Sequence, residues 1–207
     1  MIGCGEWRFF SKGKGKPATT AKAFEYYESF DDGLAQGWND VFGDWKVTED
    51  LRFAPSIPPA AKPTSTLVTF GETWWKDYVF EADLKWVKGG AVAMWVRLQE
   101  GSTGERKKGV GLVLLNRPGI HSLVYWEISG PGRKDEVNFM EFEWQEQLRV
   151  KIVVDGKFYR AYINDKLVNE LEDSTYKSGF VGLDVNVGWN LPASWDNVRI
   201  RSITPTP

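Results

Sequence analysis

Histidine and cysteine are almost missing from this chain: His121 and Cys4 are the only examples in 207 residues. A lone cysteine closes no intramolecular disulfide, which suits a reducing compartment and equally a secreted bacterial or archaeal domain that needs no bridges. Zinc is not expected, because Cys4 and His121 offer no ligand spacing. Any histidine-based acid, base or nucleophile scheme has to use His121. No apolar run approaches the roughly 18 residues of a membrane-spanning helix. No stretch sustains a 3.6-residue apolar period, and no internal repeat is present. Gly-x-Ser-x-Gly and the P-loop are absent, and Gly13-Lys-Gly-Lys16 lacks the strand and helix a phosphate site requires. Net charge is small, at −2, so nothing draws the whole molecule onto nucleic acid. At this length one domain buries about 70% of its unfolded surface, so neither a disulfide nor a metal is required for stability.

Tryptophan, in contrast, is abundant, with 11 residues. Most of that aromatic volume suits a large core, and the remainder are candidates for stacking on the apolar faces of sugar rings. Residues 1–23 have linker composition, including Ser11-Lys-Gly-Lys-Gly-Lys-Pro17, and carry Arg8, Lys12, Lys14, Lys16 and Lys22 against Glu6. We therefore read 1–23 as a tail, 24–203 as the folded domain and 204–207 as a C-terminal tail. Within the domain, Tyr78 to Val87 alternates cleanly, with Tyr78, Phe80, Ala82, Leu84 and Trp86 on one face. Further strands are predicted at 91–98, 109–115 and 120–128, with a turn cluster at 129–135. The proline-rich segment 54–66 is excluded as a central strand, because proline removes ladder donors, and is read as a loop. Adjacent strand residues point opposite ways, so at most one of Trp74 and Trp75 belongs to the core.

The region 144–200 carries a repeated strand–turn–strand grammar. Leu148-Arg-Val-Lys-Ile-Val-Val154 is followed by an Asp155-Gly156 turn, Lys157 to Ile163, Asn164-Asp165, Lys166 to Leu171 and Gly179-Phe-Val-Gly-Leu183. It ends in Trp195-Asp-Asn-Val-Arg-Ile200. This order, with the opening Ser29-Phe-Asp-Asp-Gly33, Gly37-Trp38 and Trp45-Lys-Val47, resembles the laminin G-like and concanavalin A-like superfamily, including its family 16-like 3-keto-disaccharide hydrolase domains. The expected fold is therefore all-β, a two-sheet antiparallel β-sandwich of the jelly-roll type. Met1-Ile-Gly-Cys4 resembles the end of a bacterial lipobox, which would make Cys4 a lipid anchor.

The resemblance suggests two catalytic arrangements. Glu141, Glu143 and Glu146 have the Glu-x-Asp-x-x-Glu spacing of retaining glycoside hydrolases in this superfamily, with Glu in place of the central Asp. They lie nearer the 148–154 strand than the enzymes' motif does and equally suit a solvated acidic edge. The polysaccharide lyases use a His/Tyr/Arg set, which His121, Tyr125 and Arg97 mimic in kind. A lone strand histidine more often packs or hydrogen-bonds than acts as a base.

For binding, the expectation is the concave outer face of one sheet. Trp95 and Arg97 are placed on one face of the 91–98 strand, with Tyr125, Arg160, Tyr162, Asp184 and Asn186 on the same sheet. Val153, Ala161, Ile163, Val181, Leu183 and Val185 form the alternating core set, and Trp189 is an exposed stacking platform in a loop. The competing role for Arg97 is a pair with Glu127. Asp31, Asp32 and Asp196 match the superfamily's structural calcium positions and equally suit turn chemistry. The sequence thus points to non-catalytic binding of a poly- or oligosaccharide in an extracytoplasmic setting, with no required cofactor. The alternatives are a glycoside hydrolase or lyase, and an assembly subunit that pairs with neighbours by strand addition.

Overall fold

The computed structural model describes residues 23–56, 65–86, 89–104, 106–116, 121–186 and 193–203. In chain order the first strands are β1 (Glu25–Glu28), β2 (Asn39–Phe42), β3 (Asp44–Val47), β4 (Phe53–Ser56) and β5 (Leu67–Phe70). Then come β6 (Tyr78–Trp86), β7 (Ala91–Leu98), β8 (Gly109–Leu115), β9 (Leu123–Gly130) and β10 (Arg133–Glu141). The last are β11 (Gln147–Asp155), β12 (Phe158–Ile163), β13 (Lys166–Glu172), β14 (Phe180–Val185) and β15 (Ala193–Ser202). They form two antiparallel sheets. The eight-stranded sheet is ordered β13-β12-β11-β6-β15-β4-β3, with β1 also on β15, and the seven-stranded sheet β10-β9-β8-β7-β14-β5-β2.

Local chemistry explains the pairing. Asn164 and Asp165 both hold positive φ, as a two-residue hairpin turn between β12 and β13 requires. Asp155 pairs with Phe158, so the preceding turn is Gly156-Lys157 rather than Asp155-Gly156. The core lies between the sheets. Phe80, Leu84, Ile152, Tyr159 and Trp195 from one sheet meet Met94, Leu112, Trp126 and Leu183 from the other. Val153 is excluded from that core: it is half-buried on the outer face, and Ile152 and Val154 point inward instead. Trp75 is buried and Trp74 exposed.

Two segments differ from their sequence reading. Residues 53–56 form β4, and Pro55 is tolerated because β4 pairs with β15 only at Phe53. The 129–135 cluster narrows to a turn at Pro131-Gly132, and β10 begins at Arg133. β10 is a largely exposed edge strand with almost no apolar alternation to set its bounds.

One irregularity shapes the rest. On β14, Phe180 pairs with Leu98 and Gly182 with Trp95, so β7 carries an extra residue and bulges at Arg97, whose φ is +50°. Arg97 is turned inward and buried. Its guanidinium donates to Tyr159 Oη (2.9 Å) and to the carbonyls of Tyr176 (2.8 Å) and Lys76 (3.0 Å), and pairs with Asp77 at 3.4 Å. Tyr78 Oη accepts its backbone N–H at 3.0 Å. Behind the bulge sits Gly179 at φ +150°, where a Cβ would lie 2.3 Å from the Leu98 carbonyl. Arg97 thereby ties the two sheets together at one end of the sandwich. Replacing it (Arg97→Met) strands several buried acceptors and is expected to cost about 2–4 kcal/mol in chemical denaturation; a loss under about 1 kcal/mol would show the tie to be dispensable.

Candidate functional site

A sheet facing water on one side should show polar residues there. At its centre the seven-stranded sheet shows apolar ones. β7 is buried or half-buried at every position, because its outer face carries a second apolar layer: Leu67, Ala93, Trp95, Leu98, Val113 and Tyr125. Trp95 lies flat over Gly111, where an added Cβ would meet the indole at 2.9 Å. Tyr125 stacks on Phe139 of β10, with ring centroids 4.6 Å apart.

Above this apolar floor lies a recessed cleft of about 360 Å³. Its walls are charged. Lys107 and Asp184 form a buried ion pair at 3.0 Å, and Ser65 Oγ donates to the Asp184 carboxylate at 2.8 Å. Lys107 Nζ also donates to the Gly104 carbonyl and sits 5.4 Å from the Trp95 ring centre. The Trp95 indole N–H reaches Asp184 at 3.4 Å. On the other side Lys134 bridges Glu127 (3.4 Å) and Glu136 (3.1 Å). Burial pushes the Glu127 carboxyl above its ordinary range, opposed by the nearby Lys134 and Lys107. Burial pulls Lys134 down, but Glu127 and Glu136 together hold its ammonium above the usual lysine value.

The cleft therefore gathers Trp95, Tyr125, Asp184 and Asn186 from the sequence-predicted set. Sequence reasoning missed Ser65, Lys107 and Lys134, and assigned Glu127 the wrong partner: it pairs with Lys134, not Arg97. A usable signal was Lys107 and Lys108 directly before β8, whose neighbours β7 and β9 carry the cleft's aromatics.

The other predicted site residues lie elsewhere. Arg97 does not share a face with Trp95, because the bulge between them breaks the period-two alternation. Arg160 and Tyr162 belong to β12 of the opposite sheet, on its outer face, where Arg160 pairs with Glu170 and Tyr162 lies under Lys151. The whole core separates them from the cleft. His121 precedes β9 and is largely exposed, with Nδ1 3.7 Å from Glu141; it does not meet Arg97, which is buried at the tyrosine cluster. Glu141 ends β10, so Glu143 and Glu146 fall in the connection to β11, and no single strand presents the three carboxylates together. Trp189 and Cys4 lie outside the described residues.

The predicted calcium carboxylates are occupied by protein partners. Asp196 accepts from Arg52 at 3.0 Å, Asp31 from Ser29 Oγ, and Asp32 from the Leu34 amide and Gln36. Among the described residues no three His, Cys, Asp or Glu side chains gather as a metal cage. The Trp-Asp-Asn-Val motif acts as a clamp: Asn197 donates to Asp83 and accepts from Tyr27 Oη, tying β1, β6 and β15 together.

Two outcomes follow. Asp184→Asn leaves the buried Lys107 ammonium without its counter-charge and is expected to destabilise by about 3–5 kcal/mol in urea denaturation; a loss below about 1 kcal/mol would mean that water already screens the pair. A carboxyl whose folded pKa is raised contributes stability that is complete below its ordinary range and lost as pH rises through the raised value. Glu127→Gln removes that term, so the stability of the variant relative to the parent should climb as pH rises above the ordinary glutamate pKa of about 4.3. A pH-independent difference would show that Glu127 is not desolvated.

A family model described as 3-keto-alpha-glucoside-1,2-lyase-like domain matches residues 25–201. No curated protein matches the chain in sequence. Among solved structures, carbohydrate binding module CBM66 from Bacillus subtilis is similar with a TM-score of 0.63 and 22% identity, over 80% of this chain and 96% of that one. The legume lectin-like domain from Entamoeba histolytica gives 0.60 and 15%, over 84% and 96%. The VIP36 exoplasmic/lumenal domain in its Ca2+/Man-bound form gives 0.62 and 10%, over 83% and 84%. The fold is thus the concanavalin A-like jelly-roll sandwich.

Proposed function

The chain belongs to the 3-keto-alpha-glucoside-1,2-lyase-like domain family, and we propose that it binds carbohydrate in the outer cleft of the seven-stranded sheet without cleaving it. The observation that carries this reading is the pairing of an apolar aromatic floor with fixed carboxylate acceptors. Sugars offer C–H patches on ring faces and hydroxyl donors at their rims. Tyr125 and Val113, which pack with the buried Trp95 and Ala93, match the first, and Asp184, Glu127, Ser65 and Asn186 match the second. Both carboxylates are already oriented by Lys107, Lys134 and Ser65, so little ordering entropy remains for binding to cost. The structural neighbours include a carbohydrate binding module and a legume lectin-like domain by name, which supports the same reading, and an extracytoplasmic setting accords with it. Among the described residues no helix is long and apolar enough to cross a membrane.

A second reading is enzymatic. Glu127 is a partly buried carboxyl whose proton affinity is raised inside a cleft, the kind of group that donates a proton to a leaving oxygen, and the family description names a lyase. It predicts product release that Glu127→Gln abolishes.

A panel of polysaccharides titrated against the domain, with released reducing ends and unsaturated products assayed in parallel, separates the two. Binding without product is expected. Tyr125→Ala should weaken binding about tenfold or more, whereas Arg160→Gln on the other sheet should leave it unchanged. Turnover that depends on Glu127 would replace the binding reading with the enzymatic one.

A further inference from the structure

Next to the sugar cleft lies a second groove, of about 640 Å³, and Lys107, Ser129 and Lys134 border both. Nine residues line it, and five are cations: Arg106, Lys107, Lys108, Arg133 and Lys134. None of the nine is acidic. In a chain of net charge −2 such a clustering is a local feature and not a reflection of composition. Three of the five already have carboxylate partners: Lys107 with Asp184, Lys134 with Glu127 and Glu136, and Arg133 with Asp135. The other two do not. Among the described residues Arg106 and Lys108 meet no carboxylate; Lys108 Nζ reaches only the Glu100 carbonyl, at 3.4 Å.

The groove is built by two turns held near one another. Thr103 Oγ1 accepts the Arg106 N–H and Ser102 Oγ the Lys108 N–H, which anchors these two backbone positions ahead of β8. On the far side Pro131-Gly132 turns β9 into β10, with Gly132 at φ +69°, and places Arg133 and Lys134 at the start of the edge strand. A guanidinium and an ammonium with no carboxylate partner among the described residues are ready donors for carboxylate or sulfate oxygens.

We propose that the ligand is an anionic polysaccharide, with one residue seated in the Trp95–Tyr125 cleft and its neighbour's carboxylate or sulfate ester held in the basic groove by Arg106 and Lys108. This rests on the carbohydrate reading of the cleft and specifies its substrate class. The two halves select for a glycan against other polyanions. Asp184 and Glu127 in the cleft accept from hydroxyl donors and repel phosphate, so a nucleic acid gains in the groove and loses in the cleft.

The test uses the whole chain and four probes: polygalacturonate, its carboxyl-reduced counterpart, dextran sulfate and unmodified dextran. At about 0.05 M salt a charged polymer should bind about tenfold or more tightly than its neutral counterpart. The preference should collapse at about 1 M salt, where the Debye length shrinks to about 3 Å. Whether the carboxylated or the sulfated polymer shows it identifies the anion. The double variant Arg106→Gln/Lys108→Gln should lose about fivefold or more of that preference, with Arg160→Gln, on the opposite sheet, as the control that keeps it. Equal affinity for charged and neutral polymers overturns the inference and leaves the carbohydrate reading standing. So does a preference that the double variant does not reduce. Binding to none of the four, with the chain folded by circular dichroism, overturns both. Tighter binding to polyuridylate than to either charged glycan reassigns the groove to nucleic acid and likewise overturns it.

Discussion

Successive residues of a β-strand must face opposite sides of the sheet, and β7 turns that constraint into both the core and the cleft. Val92, Met94 and Val96 enter the core, while Ala91, Ala93 and Trp95 alternate with them toward the outside. Because both sets are apolar, β7 has two dry faces, and the outer one needs cover. The cover comes from Lys107, Tyr125 and Phe139, and it is incomplete; the unfilled remainder is the cleft. Charge enters a site of this kind only with partners, which is why Lys107 and Asp184 arrive together with Ser65 and the Trp95 indole N–H.

The bulge at Arg97 is where this constraint is broken, and it has a structural role. Without the extra residue, Arg97 would follow Trp95 onto the outer face. With it, the guanidinium turns between the sheets and donates to Tyr159 and two carbonyls at the end of the sandwich, while the Arg97 backbone N–H donates to Tyr78. Arg97 and Asn197 thus hold opposite kinds of junction: one binds sheet to sheet, and the other binds the first strand to the last within one sheet. Both sit at positive φ in bulged strands, geometry that an alternation pattern does not announce.

Several strands were legible in the residues. The runs at 91–98 and 109–115 coincide with β7 and β8, and the alternation from Tyr78 matches β6. Period two is strong there because one face or both are buried. The bounds of β10 were not legible, because an exposed edge strand has no apolar period to display. Of the binding candidates, Trp95, Tyr125, Asp184 and Asn186 converge because their strands are near neighbours in one sheet. Arg160 and Tyr162 have the same outward alternation and belong to the other sheet. Alternation says that a residue faces out; it does not say out of which sheet.

By itself the sequence determined that the chain is an antiparallel sandwich with an aromatic core, since turn chemistry and period-two burial are local properties written into consecutive residues. Only the tertiary structure decided where the site is. The cleft joins Ser65, Lys107, Glu127, Lys134 and Asp184, residues scattered over more than half the chain, and what brings them together is the order of strands within a sheet. Strand order is fixed by long-range packing of the two faces, which no window of neighbouring residues contains.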